Sequence, residues 1–184
     1  MRTLIATLLC SMLFVTCQKD DPCSNIICLN DGFCANGICN CKEGYTGSDC
    51  SQEKTPSSIT ITAVTVTKWP ATASGGGGWD LFDGPDLTFT IGKGGSEIYR
   101  SNIFYEDAVQ GQQYTFDVNI KLDSPNSEHS ILLYDYDDNI TANDFMGGIG
   151  FIPYTSGGKF PEVRILDVNA SGVAFELDFS YQFN

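Results

Sequence analysis

Residues 57–184 alternate in polarity. Tyr114, Phe116, Val118, Ile120 and Leu122 are apolar, with Thr115, Asp117, Asn119 and Lys121 between them. Val173, Phe175, Leu177, Phe179, Tyr181 and Phe183 alternate in the same way with Ala174, Glu176, Asp178, Ser180 and Gln182. A period of two sends successive side chains to opposite faces and predicts half-buried strands. Leu87, Phe89 and Ile91, separated by Thr88 and Thr90, predict another. Ile59, Ile61 and Ala63 alternate with Thr60 and Thr62, and then the apolar phase slips to Val64 and Val66, which predicts a bulge. Shorter strands are expected near Ser96–Arg100, Ile131–Tyr134, Gly148–Ile152 and Val163–Val168, giving about eight in all. No helical periodicity is sustained in this part. Strands punctuated by Gly, Pro, Asn and Asp predict an all-β fold, an antiparallel β-sandwich over residues 59–184.

The N-terminal part follows a different pattern. Met1-Arg2 precedes an apolar run from Leu4 to Val15. The run is too short to cross a bilayer comfortably and suits the core of a secretory signal. It ends Leu13-Phe14-Val15-Thr16-Cys17, which resembles the bacterial lipoprotein box. That resemblance implies a signal peptide over residues 1–16, lipid on Cys17 and a tether over 17–21. Gln18-Lys19-Asp20-Asp21 looks like the acidic signal that sends some such proteins to the outer surface. The expectation is an exported protein, lipid-anchored at the outer membrane and cell surface.

Cysteine usage changes the picture of residues 22–51. The chain has eight Cys. With Cys10 in the signal and Cys17 lipidated, six remain, and disulfides persist in an exported segment. Some thirty residues cannot bury enough surface to fold on hydrophobicity alone, so cross-links are required. Six cysteines allow fifteen pairings, and spacing does not choose among them. Zinc is disfavoured, because the segment has no C-x2-C pair and no nearby His. The six-cysteine spacing, with Leu29-Asn30-Asp31-Gly32-Phe33-Cys34 and Cys39-Asn40-Cys41-Lys42-Glu43-Gly44-Tyr45-Thr46-Gly47-Ser48-Asp49-Cys50, resembles an EGF-like domain. The resemblance implies the pairs Cys23–Cys34, Cys28–Cys39 and Cys41–Cys50. It assigns Gly44 and Gly47 to a C-terminal hairpin, where positive φ or close backbone approach needs glycine. Such a module reads as a spacer, joined to the sandwich by a short polar linker over 52–58.

Charge narrows the function. The formal net charge is −13. Clustered Lys and Arg are absent, which excludes a nucleic-acid partner. Residues 55–184 carry six Lys/Arg against seventeen Asp/Glu, so an anionic bilayer is a poor match as well. The acidic residues concentrate in two places. One is Trp79-Asp80-Leu81-Phe82-Asp83-Gly84-Pro85-Asp86, just before the Leu87 strand. The other follows the Ile131–Tyr134 strand as a loop holding Asp135, Asp137, Asp138 and Asp144. Aspartates favour turns for local hydrogen-bonding reasons. Crowded carboxylates also suit calcium, which takes six to eight oxygen ligands.

An Asp, a second Asp six residues on that opens a strand, and a later strand running into Asp-x-Asp and closing in Asp-x-x-Gly resemble a C2 domain. The resemblance implies an eight-stranded C2-like sandwich binding Ca2+ through Asp80, Asp86, Asp135, Asp137 and Asp144, with Asp83 and Asp138 as further candidate donors. Trp79, Leu81 and Phe82 are expected to pack the base of the first loop. His129 is the single histidine and is expected in a polar surface turn, so no His-based catalytic group is evident and no enzyme is expected. The function expected is a calcium-dependent binding or adhesion module for a protein, glycan or lipid. The alternatives are a structural subunit that calcium only stabilises, or a small hydrolase using paired carboxylates.

Overall fold

The computed structural model describes residues 21–80, 84–137, 143–167 and 172–184. Among them the regular structure is entirely β. The N-terminal module has two small hairpins, β1 (Phe33–Ala35) with β2 (Ile38–Asn40) and β3 (Tyr45–Thr46) with β4 (Gln52–Glu53). The first turns through Asn36 and Gly37, both at positive φ (52° and 83°), the backbone that a two-residue hairpin turn demands. Three disulfides join Cys23 to Cys34, Cys28 to Cys39 and Cys41 to Cys50.

The larger part is two antiparallel four-stranded sheets. One has the order β11 (Val163–Asp167), β12 (Ala174–Gln182), β5 (Ser58–Lys68), β8 (Tyr114–Leu122). The other runs β10 (Asp144–Phe151), β9 (His129–Asp135), β6 (Leu87–Lys93), β7 (Ser96–Arg100). Inward residues of both sheets share one core, including Ile59, Ile61, Val64, Phe89, Ile91, Phe116, Leu133, Phe175 and Leu177. The rings of Phe89 and Phe116 meet edge-on across the layers at 5.1 Å. The pairing of β5 with β8 and with β12 skips Thr62, which lies exposed while Ile61 and Ala63 are buried. This is the bulge that the phase slip predicts, and it lets both halves of β5 keep their apolar sets inside.

One position differs from the sequence reading. His129 is not in a surface turn. It opens β9 and is buried at 2% exposure, its Nδ1 2.9 Å from the Ser127 carbonyl oxygen and its ring against Phe151. The reason is its place in the row His129, Ile131, Leu133, Asp135, which faces inward at period two. Residues 52–58, read as a linker, hold β4 at their start and the buried Ser58 at their end.

The two parts are docked. Lys54 N–H donates to the Gly44 carbonyl, and Ser57 N–H to the Gln182 carbonyl, each at 2.8 Å. The Glu53 carboxylate accepts from the Tyr154 hydroxyl (3.1 Å) and from the N–H groups of Gly157 (2.9 Å) and Lys159 (3.2 Å). The loop so held presents Phe160, whose ring packs against Tyr45 of the small module and Tyr154, Tyr181 and Phe183 of the large one. Gly44 fixes the approach. Its φ is +90°, and a Cβ there would lie 2.6 Å from Phe160 Cε2 and 3.0 Å from Phe183 Cζ. Substitution Gly44→Ala therefore combines a strained backbone with a clash at the junction. It is expected to lower stability by about 2 kcal/mol, with residues 52–58 becoming the first site of limited proteolysis. Thermal unfolding and mapping of the first cut check this.

Candidate metal centre

Strand β6 starts at Leu87, and the residue before it is Asp86. Register sets Leu87 opposite Asp135 on β9, and Asp135 opposite Asp144 on β10. Directly opposed residues share a face. Asp135 therefore continues the inward row and is only 1% exposed. The expectation of a loop position is corrected for two of the four acidic residues: Asp135 ends β9 and Asp144 begins β10.

Hydrogen bonds fix the junction. Asp86 N–H donates to Asp135 Oδ1 at 2.7 Å, and Tyr136 N–H donates to the Asp86 carbonyl at 2.7 Å. Asp86 Oδ1 accepts from Asp107 N–H at 3.0 Å, and Ala108 N–H donates to the Pro85 carbonyl at 2.9 Å. The approach is close enough that a Cβ on Gly84 would lie 2.5 Å from the Ala108 carbonyl oxygen. The segment around Asp107, itself at φ +53°, is a third wall that the spacing arguments did not reach. On the other side, Asp137 N–H donates to Asn143 Oδ1 at 3.3 Å, bracing the neck of the β9–β10 loop. Trp79 packs against the core, as expected, and donates from Nε1 to the Pro70 carbonyl at 2.7 Å. Leu81, Phe82, Asp83 and Asp138 lie outside the described residues, as does Cys17.

The electrostatics are unfavourable for an isolated set of anions. Burial pushes the Asp135 carboxyl up to about 7; the Asp86 N–H partly opposes this, and the charges of Asp80, Asp137 and Asp86 add to it. Asp135 Oδ2 and Asp137 Oδ2 are both buried and find no hydrogen-bond partner among the described residues. Among those residues no group of three or more acidic, His or Cys side chains is gathered closely enough to hold a metal ion. Asp80, Asp86 and Asp137 stand around Asp135 at electrostatic range, whereas Asp144 is exposed at the margin. The chemistry of the side chains is nevertheless of the kind a hard cation takes: every donor is an oxygen, and two buried acceptors have no hydrogen-bond donor among the described residues.

A raised carboxyl pKa has a definite sign in stability. The folded protein holds a proton on Asp135 up to about pH 7, which the unfolded chain releases near pH 4. In chelator this contribution is complete below about pH 4, and stability falls through the window up to about 7 by at most about 1.4 kcal/mol per pH unit. Asp135→Asn should flatten that slope and leave the metal-free domain more stable than the parent at pH 8. Denaturant melts across this range in chelator are the check.

No protein-family model matches the chain, and no curated protein matches it. Among solved structures, one described as "Structure of a C2 domain" aligns with 68% of this chain and 98% of its own length, at 9% sequence identity and a TM-score of 0.42.

Proposed function

We propose that this chain is an exported, surface-anchored lipoprotein whose sandwich binds calcium and serves as a non-enzymatic binding module. The observation that carries the calcium reading is the pair of buried oxygens, Asp135 Oδ2 and Asp137 Oδ2, without a hydrogen-bond partner among the described residues, in a group of mutually repelling carboxylates. A buried ionised carboxylate costs several kcal/mol unless it is paired or coordinates a metal. Asp80, Asp86, Asp135 and Asp137 would hold the ion, with Asp144 closing from β10 and Asp83 and Asp138 as further donors. Bound calcium supplies positive charge that removes the repulsion and ties the segment before β6 to the β9–β10 loop.

Export is supported by three disulfides in the first described segment, since such bonds persist in oxidising compartments. Anchoring through lipid on Cys17 follows from the sequence pattern alone. An exported site meets abundant calcium, and extracellular modules commonly bind at roughly 10⁻⁴ to 10⁻³ M. The site would stay filled, so calcium here shapes the surface rather than signalling. The acidic surface disfavours anionic phospholipid as the target and leaves protein or glycan.

At ~2 mM calcium and a Kd of ~10⁻⁴ M, mass action stabilises the fold by about 2 kcal/mol. Chelation should therefore lower Tm by about 5 °C, and Asp137→Asn should shrink that difference. Calorimetric titration of the demetallated chain tests the same site directly. An unchanged Tm with metal removal verified, together with no binding heat, would sink the calcium reading.

A further inference from the structure

We infer that the groove between the disulfide module and the sandwich binds a neutral oligosaccharide. This rests on the reading of the chain as a binding module, and names the ligand class, but does not depend on calcium. The groove has a volume of about 1040 Å³ and is open to solvent along one side. Ligand sites favour such junctions between folded units.

Its lining combines two chemistries. Tyr45, Phe160, Tyr181 and Phe183 form an aromatic wall with ring centroids 5.0–5.4 Å from that of Phe160. All four are half-buried, leaving ring surface at the groove. The rim carries carboxylates from both parts, Asp31 and Glu43 on the small module and Glu162 and Asp178 on the large one. Lys42 and Lys159 sit among them.

A sugar has an apolar C–H face and a ring of hydroxyls, each of which donates and accepts. The C–H face suits an aromatic wall, and the hydroxyls suit a rim offering acceptors and donors side by side. The same rim serves an ionic ligand badly. An anion meets four carboxylates, and a cationic peptide, although the carboxylates outnumber the lysines, meets Lys42 and Lys159 set among them. A hydrocarbon ligand would strand the rim groups without partners.

The groove is also held ready. Glu53 pins the loop before Phe160, including Lys159 at φ +60°, and Gly44 allows the two walls to close on each other. A fixed shape reduces the ordering cost of binding. Thr62 and Asp178 place the groove beside the N-terminal half of β5, whereas the aspartates around Asp135 gather near the C-terminal end of that strand, beside the loops after Lys68. The two sites are therefore separate.

The test titrates the full chain with a panel of short neutral oligosaccharides, an acidic oligosaccharide and a cationic peptide, each in calcium and in chelator. The expected result is saturable binding of a neutral member, retained in chelator. Glu162→Ala and Asp178→Ala should each weaken it at least about tenfold, and Asp167→Ala, exposed on β11 outside the groove, should leave it unchanged. Glu43→Ala, on the small module, gives a second reading should a sandwich variant misfold, with melting curves reporting the fold of each. Saturation only by the peptide or the acidic sugar, neutral-sugar binding indifferent to all three groove substitutions, or no binding by the folded chain would each overturn the proposal. Calcium-dependent melting on the same samples reads the carboxylate site separately, so failure of either reading is distinguishable from failure of the other.

Discussion

Asp135 stands at the end of an inward-facing row in a central strand, and the chain has to accommodate a carboxylate there. The row His129, Ile131, Leu133, Asp135 is set by β-strand geometry, and Leu87 opposite fills the layer beside it. One oxygen is bonded to the Asp86 N–H; the other is not bonded within the described residues. Leaving such a group charged and unpaired consumes a large part of a total stability of about 5–15 kcal/mol. Two remedies exist, a proton or a cation, and they compete for the same oxygens. The surrounding architecture serves that choice. Asp86 is fixed by Asp107 and Tyr136, and Asn143 braces Asp137, so these two carboxylate-bearing residues are held by backbone hydrogen bonds of their own.

A second constraint acts at the other end of β5. Glu53 gathers three donors from the loop at Tyr154–Lys159, and Phe160 then fits against rings from both parts. Such an arrangement is not that of a flexible tether. A hydrogen-bonded carboxylate with an aromatic hub beside it fixes relative orientation, where a polar linker alone would allow the parts to reorient. The disulfide module thus contributes one wall of a surface in addition to its length.

The strands were legible because alternation with period two is a direct consequence of a one-sided core, as in Tyr114–Leu122 and Ala174–Gln182. The slip at Thr62 was legible for the same reason, since a bulge is what restores the apolar phase. The disulfide pairing was not legible from spacing, which leaves fifteen alternatives; only the likeness to an EGF-like module selected one. His129 was misread because polarity was taken to mean solvent, and Asp135 was placed in a loop because the strand was ended at Tyr134. Extending the alternation of Ile131 and Leu133 by one step in each direction places both inside, and that signal was present in the sequence. The wall around Asp107 was not readable, because it depends on a close approach at Gly84 between segments more than twenty positions apart. The junction at Phe160 was hidden likewise: no local pattern marks a ring whose partners come from residues 45, 154, 181 and 183.

The placement of the two ends bears on what calcium could do. The disulfide module precedes β5 and packs where that strand begins, while the loops bearing Asp80, Asp86 and Asp137 collect near where it finishes. With an anchor at Cys17, as proposed, the membrane would lie nearer the disulfide module than the carboxylate end. A cation bridging that bilayer to the aspartates is then geometrically awkward, in addition to being disfavoured by the acidic surface. Calcium at the distal end fits better as the element that lets a carboxylate-rich tip hold one shape. Recognition would then be left to surfaces that set donors, acceptors and aromatic rings side by side, and the flank groove is such a surface.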